Sequence, residues 1–391
     1  MSQDLVTLLR PSARALPESG IVKVFNHGRT KQGLIPLWAG EGDLPTPAFI
    51  CEAAARALAG GETFYTYQRG IPPLREALAR YHERLYGRPF SAEAFFVTGG
   101  GMQAIQLAMQ MTIGAGDDIL IPTPAWPNSA GAALVQGARP IYVPLRPDPM
   151  RGFMLDLDQL FNSATPKTRA LFLNSPSNPT GWTATREELK SILDFTRARG
   201  IWIIADEIYG RFHFAGGLAP SLQEFKDDGD RIMFAQTFSK NWAMTGWRIG
   251  WLQAPPALGQ VIENHIQYNS SGVAQFMQRG AVAAIEDGEP FVQQMIARAQ
   301  EGRDIVAKAF APLNSVRFAP PAGAFYAFFS VDGIDNSLDA AMRLVDEANL
   351  GLAPGTAFGA GGEASFRICF LRSPEQVAEG MARLTRWLER R

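Results

Sequence analysis

Through the middle of the chain, short runs of β-branched and aromatic residues alternate with segments of helical spacing. "AFFVTGGG" (94–101) predicts a strand ending in a turn, and "MQAIQLAMQMT" (102–112) sets Ile105, Met109 and Met111 among strong helix formers. "DDILIP" (117–122), "RPIYVPL" (139–145), "RALFLN" (169–174), "IWIIAD" (201–206) and "RIMFAQ" (231–236) predict further strands. A helix lies between 174 and 201: Thr185 and Glu188 make a capping box, Leu189, Ile192 and Leu193 share a face, and Gly200 stands where a left-handed helix end is needed. Nearly continuous apolar strands joined by helices predict an α/β fold, with a mostly parallel sheet covered on both faces.

In such sheets ligands sit at the carboxyl ends of the strands. Gly99, Gly100 and Gly101 follow the first run, Asn178 follows "ALFLN", Asp206 ends "IWIIAD", and Lys240 follows "IMFAQTF". All of them therefore point to one rim. Beyond this sheet, residues 258–310 predict a long amphipathic helix with few breaks. "VRFAPPAGAFYAFF" (316–329), a helical pattern at 337–350, "SFRICF" (365–370) and a terminal helix at 374–390 predict a smaller α+β unit. The Pro-rich segment up to about residue 45 is expected to pack on that unit.

Charge and composition narrow the function classes. A formal net charge of −1 gives no footprint for nucleic acid or an anionic membrane, and no apolar run approaches membrane-spanning length. The opening "MSQDLVTLLRPSARALPESG" is a poor signal peptide, so the chain reads as a soluble cytoplasmic protein. Cys51 and Cys369 form no disulfide framework, and His27, His82, His213 and His265 have no second ligand at metal-binding spacing.

The polar residues on the rim describe one ligand. Asp206, preceded by apolar residues, is a desolvated carboxylate that calls for a cation, or else serves as a helix cap or salt bridge. "VTGGGMQA" can cradle an anion with backbone N–H groups, or it is simply a tight turn; it lacks the third glycine of the dinucleotide fingerprint. Lys240 in a partly apolar setting is an amine nucleophile toward carbonyls, or else an ordinary solvated loop lysine, and Arg248 is a fork suited to phosphate. An aldehyde with a phosphate and a protonatable ring nitrogen satisfies all four, which is pyridoxal 5′-phosphate (PLP).

"NSPSNPTG", "ADEIYG", "SKNWAMTGWRIG" and "FRICF", in this order, resemble the class I/II aminotransferases of PLP fold type I, from "GEGDLPTP" (40–47) to Arg367. The resemblance implies a seven-stranded, mostly parallel sheet sandwiched by helices. It also implies a large PLP-binding domain over 46–299, a small domain over 300–391, and an N-terminal segment, 1–45, packed on the latter. It implies that Lys240 carries the cofactor as a Schiff base and then moves the substrate proton. Asp206 keeps the pyridine nitrogen protonated, and Tyr209 and Asn178 bond the ring oxygen. Gly100, Gly101, Met102, Thr237 and Arg248 hold the phosphate, and Trp126 stacks on the ring. Arg367 and Gly40 receive the substrate α-carboxylate, with Trp126, Asn178 and Ile21 beside the substrate. Tyr65 reaches the phosphate of a partner subunit, so a homodimer with shared sites is expected. The activity implied is ping-pong transfer of an amino group between an L-amino acid and a 2-oxo acid; a C–S lyase of the same fold is the alternative.

Two positions depart from the pattern of the aspartate-using members: Met102 stands where a lysine often follows the paired glycines, and Ile21 where a polar residue is common. Both remove partners for an acidic side chain, which favours a neutral or aromatic amino donor. Arg69 and Arg372 are the cations that could reverse that preference.

Overall fold

The computed structural model describes residues 4–14 and 16–390. Its centre is a seven-stranded sheet of β1 (Phe95–Thr98), β2 (Asp118–Thr123), β3 (Arg139–Pro144), β4 (Thr168–Asn174), β5 (Trp202–Asp206), β6 (Ile232–Thr237) and β7 (Gly250–Gln253). The order across the sheet is β1-β7-β6-β5-β4-β2-β3. The pairs β3–β2, β2–β4, β4–β5 and β5–β6 are parallel, and β7 alone runs antiparallel to both neighbours. The strands from β4 to β6 are buried almost throughout, because helices cover both faces.

Strand β7 has no counterpart among the sequence expectations. "GWLQ" (250–253) is four residues long and sits directly behind the lysine-bearing loop. Gly250 makes its position possible: a Cβ there would come within 2.5 Å of the Gln236 carbonyl and 2.9 Å of the Gly100 backbone.

Among the helices, α1 spans Gly20–Gly28, α2 Gly101–Thr112, α3 Pro127–Val135 and α4 Arg186–Arg199. The expected capping box at α4 is present: Thr185 accepts from Glu188 N at 3.1 Å and donates its own N–H to the Glu188 carboxylate at 2.8 Å. Gly200 ends it at φ 66°. The long helix expected over 258–310 is instead three, α5 (Gly259–Asn269), α6 (Gln275–Asp287) and α7 (Glu289–Phe310). Ser271 and Gly272 turn left-handed between α5 and α6. Gly288 lies so close to Trp242 that no side chain fits, and Pro290 opens α7.

A second, four-stranded sheet is built from β8 (Val316–Arg317), β9 (Tyr326–Val331), β10 (Ala353–Pro354) and β11 (Ser365–Cys369), in the order β8-β9-β11-β10. Helices α8 (Ser337–Ala348) and α9 (Pro374–Glu389) pack on it. Val24, Ile35, Leu37 and Trp38 from the N-terminal segment join the same apolar core, and Ile35 pairs with Leu350. No described helix is long and apolar enough to cross a membrane.

Candidate active site

The carboxyl ends of β4, β5 and β6 and the glycine turn after β1 meet at a cavity of about 430 Å³. Of the residues expected from the sequence, Ile21, Gly40, Gly101, Met102, Trp126, Asn178, Asp206, Tyr209, Thr237, Lys240, Arg248 and Arg367 line it. Gly100 lies just behind, against Arg248: a Cβ there would stand 2.7 Å from the guanidinium. Tyr65 is not among the lining residues; it is 95 % exposed on the surface of the protomer.

The anion-binding end is built from backbone geometry. Gly100 adopts φ 88°, which favours glycine, and turns the chain from β1 into α2. The first N–H groups of α2, at Gly101 and Met102, therefore face the cavity without a helical acceptor. Thr237, at the end of β6, bonds Ser239 at 2.9 Å, and Arg248 is held by its Nη1 donating to the Thr245 carbonyl at 2.8 Å. A hydroxyl, a guanidinium and a helix N-terminus converge, as a phosphate requires.

Asp206, the last residue of β5, is only 2 % exposed. Its carboxylate accepts a single long bond from Ile208 N, at 3.4 Å, and among the described residues it has no salt-bridge partner. Burial pushes its pKa up to about 7, while the Ile208 N–H and the charge of Lys240 pull the other way. Lys240 Nζ donates to the Gly40 carbonyl at 2.7 Å, and burial brings its pKa down to about 8. A carboxylate with no salt-bridge partner among the described residues and an amine with a weakened proton thus share one cavity.

Such an acid has a stability signature. The folded ligand-free protein holds the Asp206 proton more tightly than the unfolded chain does. The neutral acid costs little below about pH 4, and stability falls as pH rises toward 7. We expect Asp206→Asn to raise the melting temperature of the ligand-free protein by a few degrees at pH 8 and hardly at all at pH 5. Calorimetry at both pH values checks this, and equal shifts would show that burial of the charge is not the cause.

Arg367, on β11, is 2 % exposed. One guanidinium nitrogen donates to Asn178 Oδ1 at 2.9 Å and the other to the Trp38 carbonyl. Its plane lies over the rings of Tyr326, at 4.6 Å, and Phe358, at 5.0 Å. Nε is buried and has no hydrogen-bond partner among the described residues. The group is locked in place and retains donor capacity for a carboxylate. Gly40 belongs here for steric reasons, since a Cβ would come 2.7 Å from the Tyr326 hydroxyl.

Tyr326 was not anticipated as a site residue. Its hydroxyl is 2.9 Å from that of Tyr209, and burial raises the pKa of both phenols. Asn174 was missed as well: it accepts from Asn178 N at 2.7 Å and donates to the Asp206 carbonyl at 3.0 Å, tying two loops of the rim together. Neither reserve cation stands at the cavity of its own chain. Arg69 is paired with Glu93 and Glu263, both at 2.9 Å, and neither Arg69 nor Arg372 lines it.

Comparison with known proteins agrees with this geometry. The family model described as aminotransferase class I and II matches residues 32–384. An aspartate aminotransferase of Pyrococcus horikoshii is 34 % identical over 377 residues, which is 96 % of this chain and 95 % of that protein. An aromatic-amino-acid aminotransferase of Thermococcus litoralis is 32 % identical over 375 residues, covering 95 % and 96 % of the two chains. Among solved structures, a single mutant of the Thermus thermophilus aspartate aminotransferase superposes with a TM-score of 0.89 at 29 % identity, covering 97 % of this chain and 99 % of that one. A rim that joins an anion cup, a weakened amine and a locked arginine, on a chain matched along nearly its full length, makes this enzyme a member of the class I and II aminotransferases.

Proposed function

We propose that the cavity holds PLP and that the enzyme moves an amino group between an L-amino acid with a neutral or aromatic side chain and a 2-oxo acid, by a ping-pong sequence. The observation that carries this reading is the buried Asp206 carboxylate, which lacks a cation and shares the cavity with the Lys240 amine. The residues present fit the cofactor. Gly100, Gly101, Met102, Thr237 and Arg248 match its phosphate, Asp206 its ring N–H, Tyr209 and Asn178 its ring oxygen, and Trp126 a ring face. When bound, PLP supplies an aldehyde that exchanges oxygen for the amino nitrogen and a ring that accepts the electron pair released at the α carbon.

The chain's own groups do the rest. Arg367, steadied by Asn178, Trp38 and two aromatic rings, grips the α-carboxylate and orients the α C–H bond. Lys240, once free as an amine, removes the α proton and returns it to the neighbouring carbon. Asp206 stays ionised against the ring cation, and this pairing replaces the solvation lost on burial. We read the chain as a large cofactor domain, 46–299, and a small domain, 300–391, with the segment 1–45 on the latter. The apolar cores support this division except near its boundary, where α7 runs through 299/300 and Tyr209, Phe212, Met295 and Ala299 join the core of the small domain. Exposed Phe64, Tyr65, Tyr67 and Tyr268 support a homodimer in which Tyr65 reaches the partner's phosphate.

The preference for uncharged side chains rests on the cavity wall. Its cations among the described residues are Lys240, Arg248 and Arg367, each already committed, while Ile21, Met102 and Ile105 are apolar. A distal carboxylate there would lose its solvation without a partner. Adding single amino acids to the PLP-loaded enzyme and following its visible absorbance ranks the donors. Phenylalanine, tyrosine or methionine should discharge the colour at least about tenfold faster than aspartate, each leaving one equivalent of its 2-oxo acid. Aspartate reacting fastest would overturn the side-chain reading. Cystathionine yielding pyruvate and ammonia with no oxo acid present would identify a C–S lyase instead.

A further inference from the structure

A second cavity, of about 560 Å³, adjoins the first and shares Met102, Trp126 and Asn128 with it. Its walls come from the outer side of α3, the end of β2, residues 16–23 of the N-terminal segment, and residues 356–359. Leu16, Val135 and Tyr142 line it and are large apolar side chains left exposed at 41 %, 37 % and 53 %. The charged side chains among its lining residues are Glu18 and Lys23, and they are paired with each other at 3.0 Å. The space therefore offers apolar surface and hydroxyl or amide groups, such as Thr123 and Gln106, and no uncompensated charge.

We infer that this cavity is a distal subsite that receives the far end of a bulky aromatic substrate side chain, entering past Met102 and Trp126. The inference rests on the transaminase reading above. The first cavity must contain the cofactor and the α-carbon end of the substrate between Lys240 and Arg367, so a long side chain has to continue elsewhere. The shared wall allows it. Met102 is unbranched, half-buried and rotatable, so it can yield without breaking a hydrogen bond. Trp126 lines both cavities and offers an aromatic side chain on which an incoming ring can pack. An acidic side chain gains nothing beyond this wall, and an alanine side chain never reaches it.

Gly131 provides the test. It lies within α3 and lines the second cavity but not the first, and a Cβ placed on it meets no atom within 4 Å. Tryptophan at this position fills the space, and helix propensity favours the change over glycine. Single-turnover reactions of the PLP-loaded enzyme are measured with tryptophan, tyrosine and alanine, for the wild type, Gly131→Trp and Gly131→Ala. The ratio of kcat/KM for tryptophan over alanine should fall about tenfold or more in Gly131→Trp and stay within about twofold in Gly131→Ala. A readout without chemistry comes from titration calorimetry of the PLP-free protein. The ratio of Kd for 3-(indol-3-yl)propanoate over propanoate should rise in Gly131→Trp by a similar factor. If wild-type enzyme reacts with tryptophan and both ratios are unmoved by Gly131→Trp, the subsite is refuted while the transaminase reading stands. If no amino acid discharges the wild-type enzyme, the failure belongs to that reading instead.

Discussion

Lys240→Ala yields a colourless protein whose transamination rate falls by about 10⁴-fold or more. On the proposed function two roles disappear together, because the same nitrogen would hold the cofactor and move the proton. Lys240 is the one lysine among the residues lining the cavity, and its Nζ is fixed to the Gly40 carbonyl at 2.7 Å. Borohydride reduction of the loaded wild type, followed by peptide mass spectrometry, should mark Lys240. A label on another lysine, or a coloured and active alanine variant, would end the assignment. The depressed pKa adds a pH test with a definite sign. The neutral amine attacks the aldehyde, so capture of PLP by the ligand-free protein speeds up as pH rises through about 8 and levels off above it. An unperturbed lysine would continue to gain rate well beyond that pH.

Arg367→Ala should lower kcat/KM for every amino donor by roughly 30-fold to a few thousandfold, the range expected when one member of a buried, hydrogen-bonded charge pair is truncated. The loss has two parts. The substrate carboxylate gives up its bidentate partner, and the Asn178 side chain and the Trp38 carbonyl lose the donor that now satisfies them. Arg367→Lys should recover only a small share, because a point charge cannot fork to a carboxylate or lie flat between Tyr326 and Phe358. Both variants should keep the visible absorbance of the loaded enzyme, since the phosphate cup is untouched. Steady-state kinetics with two unrelated donors checks the point, and a donor-selective loss would mean that Arg367 reads side chains rather than the α-carboxylate.

The parallel strands were legible because each is a run of apolar residues without alternation, bounded by polar turns. β5 and β6 are the clearest, and Asp206 at the end of the one and Lys240 past the end of the other stand out as polar residues. β7 was not, because its four residues hide behind a longer motif and its antiparallel seat depends on Gly250 fitting beneath the glycine turn, which is a tertiary contact. The helix over 258–310 was overextended for a similar reason. Gly272 lies in a left-handed turn and Gly288 against Trp242, and neither fact is local. Tyr326 lies in "AFYAFF", where every residue is apolar or aromatic, so no periodicity distinguishes the ring that faces the site. It is chosen by the pairing of β9 with β11, in which Phe328 stands opposite Arg367 and Tyr326 beside it on the diagonal. The second cavity gathers residues near 20, 130 and 357, and no short window of sequence contains it.

The anion cup and Lys240 are anchored on the seven-stranded sheet, whereas Arg367 hangs from the four-stranded one. On the proposed reading, the hold on the substrate carboxylate and the hold on the cofactor phosphate are therefore built on different sheets. Under that reading a product can leave Arg367 while the prosthetic group keeps its own anchors, so one loading event would serve many turnovers.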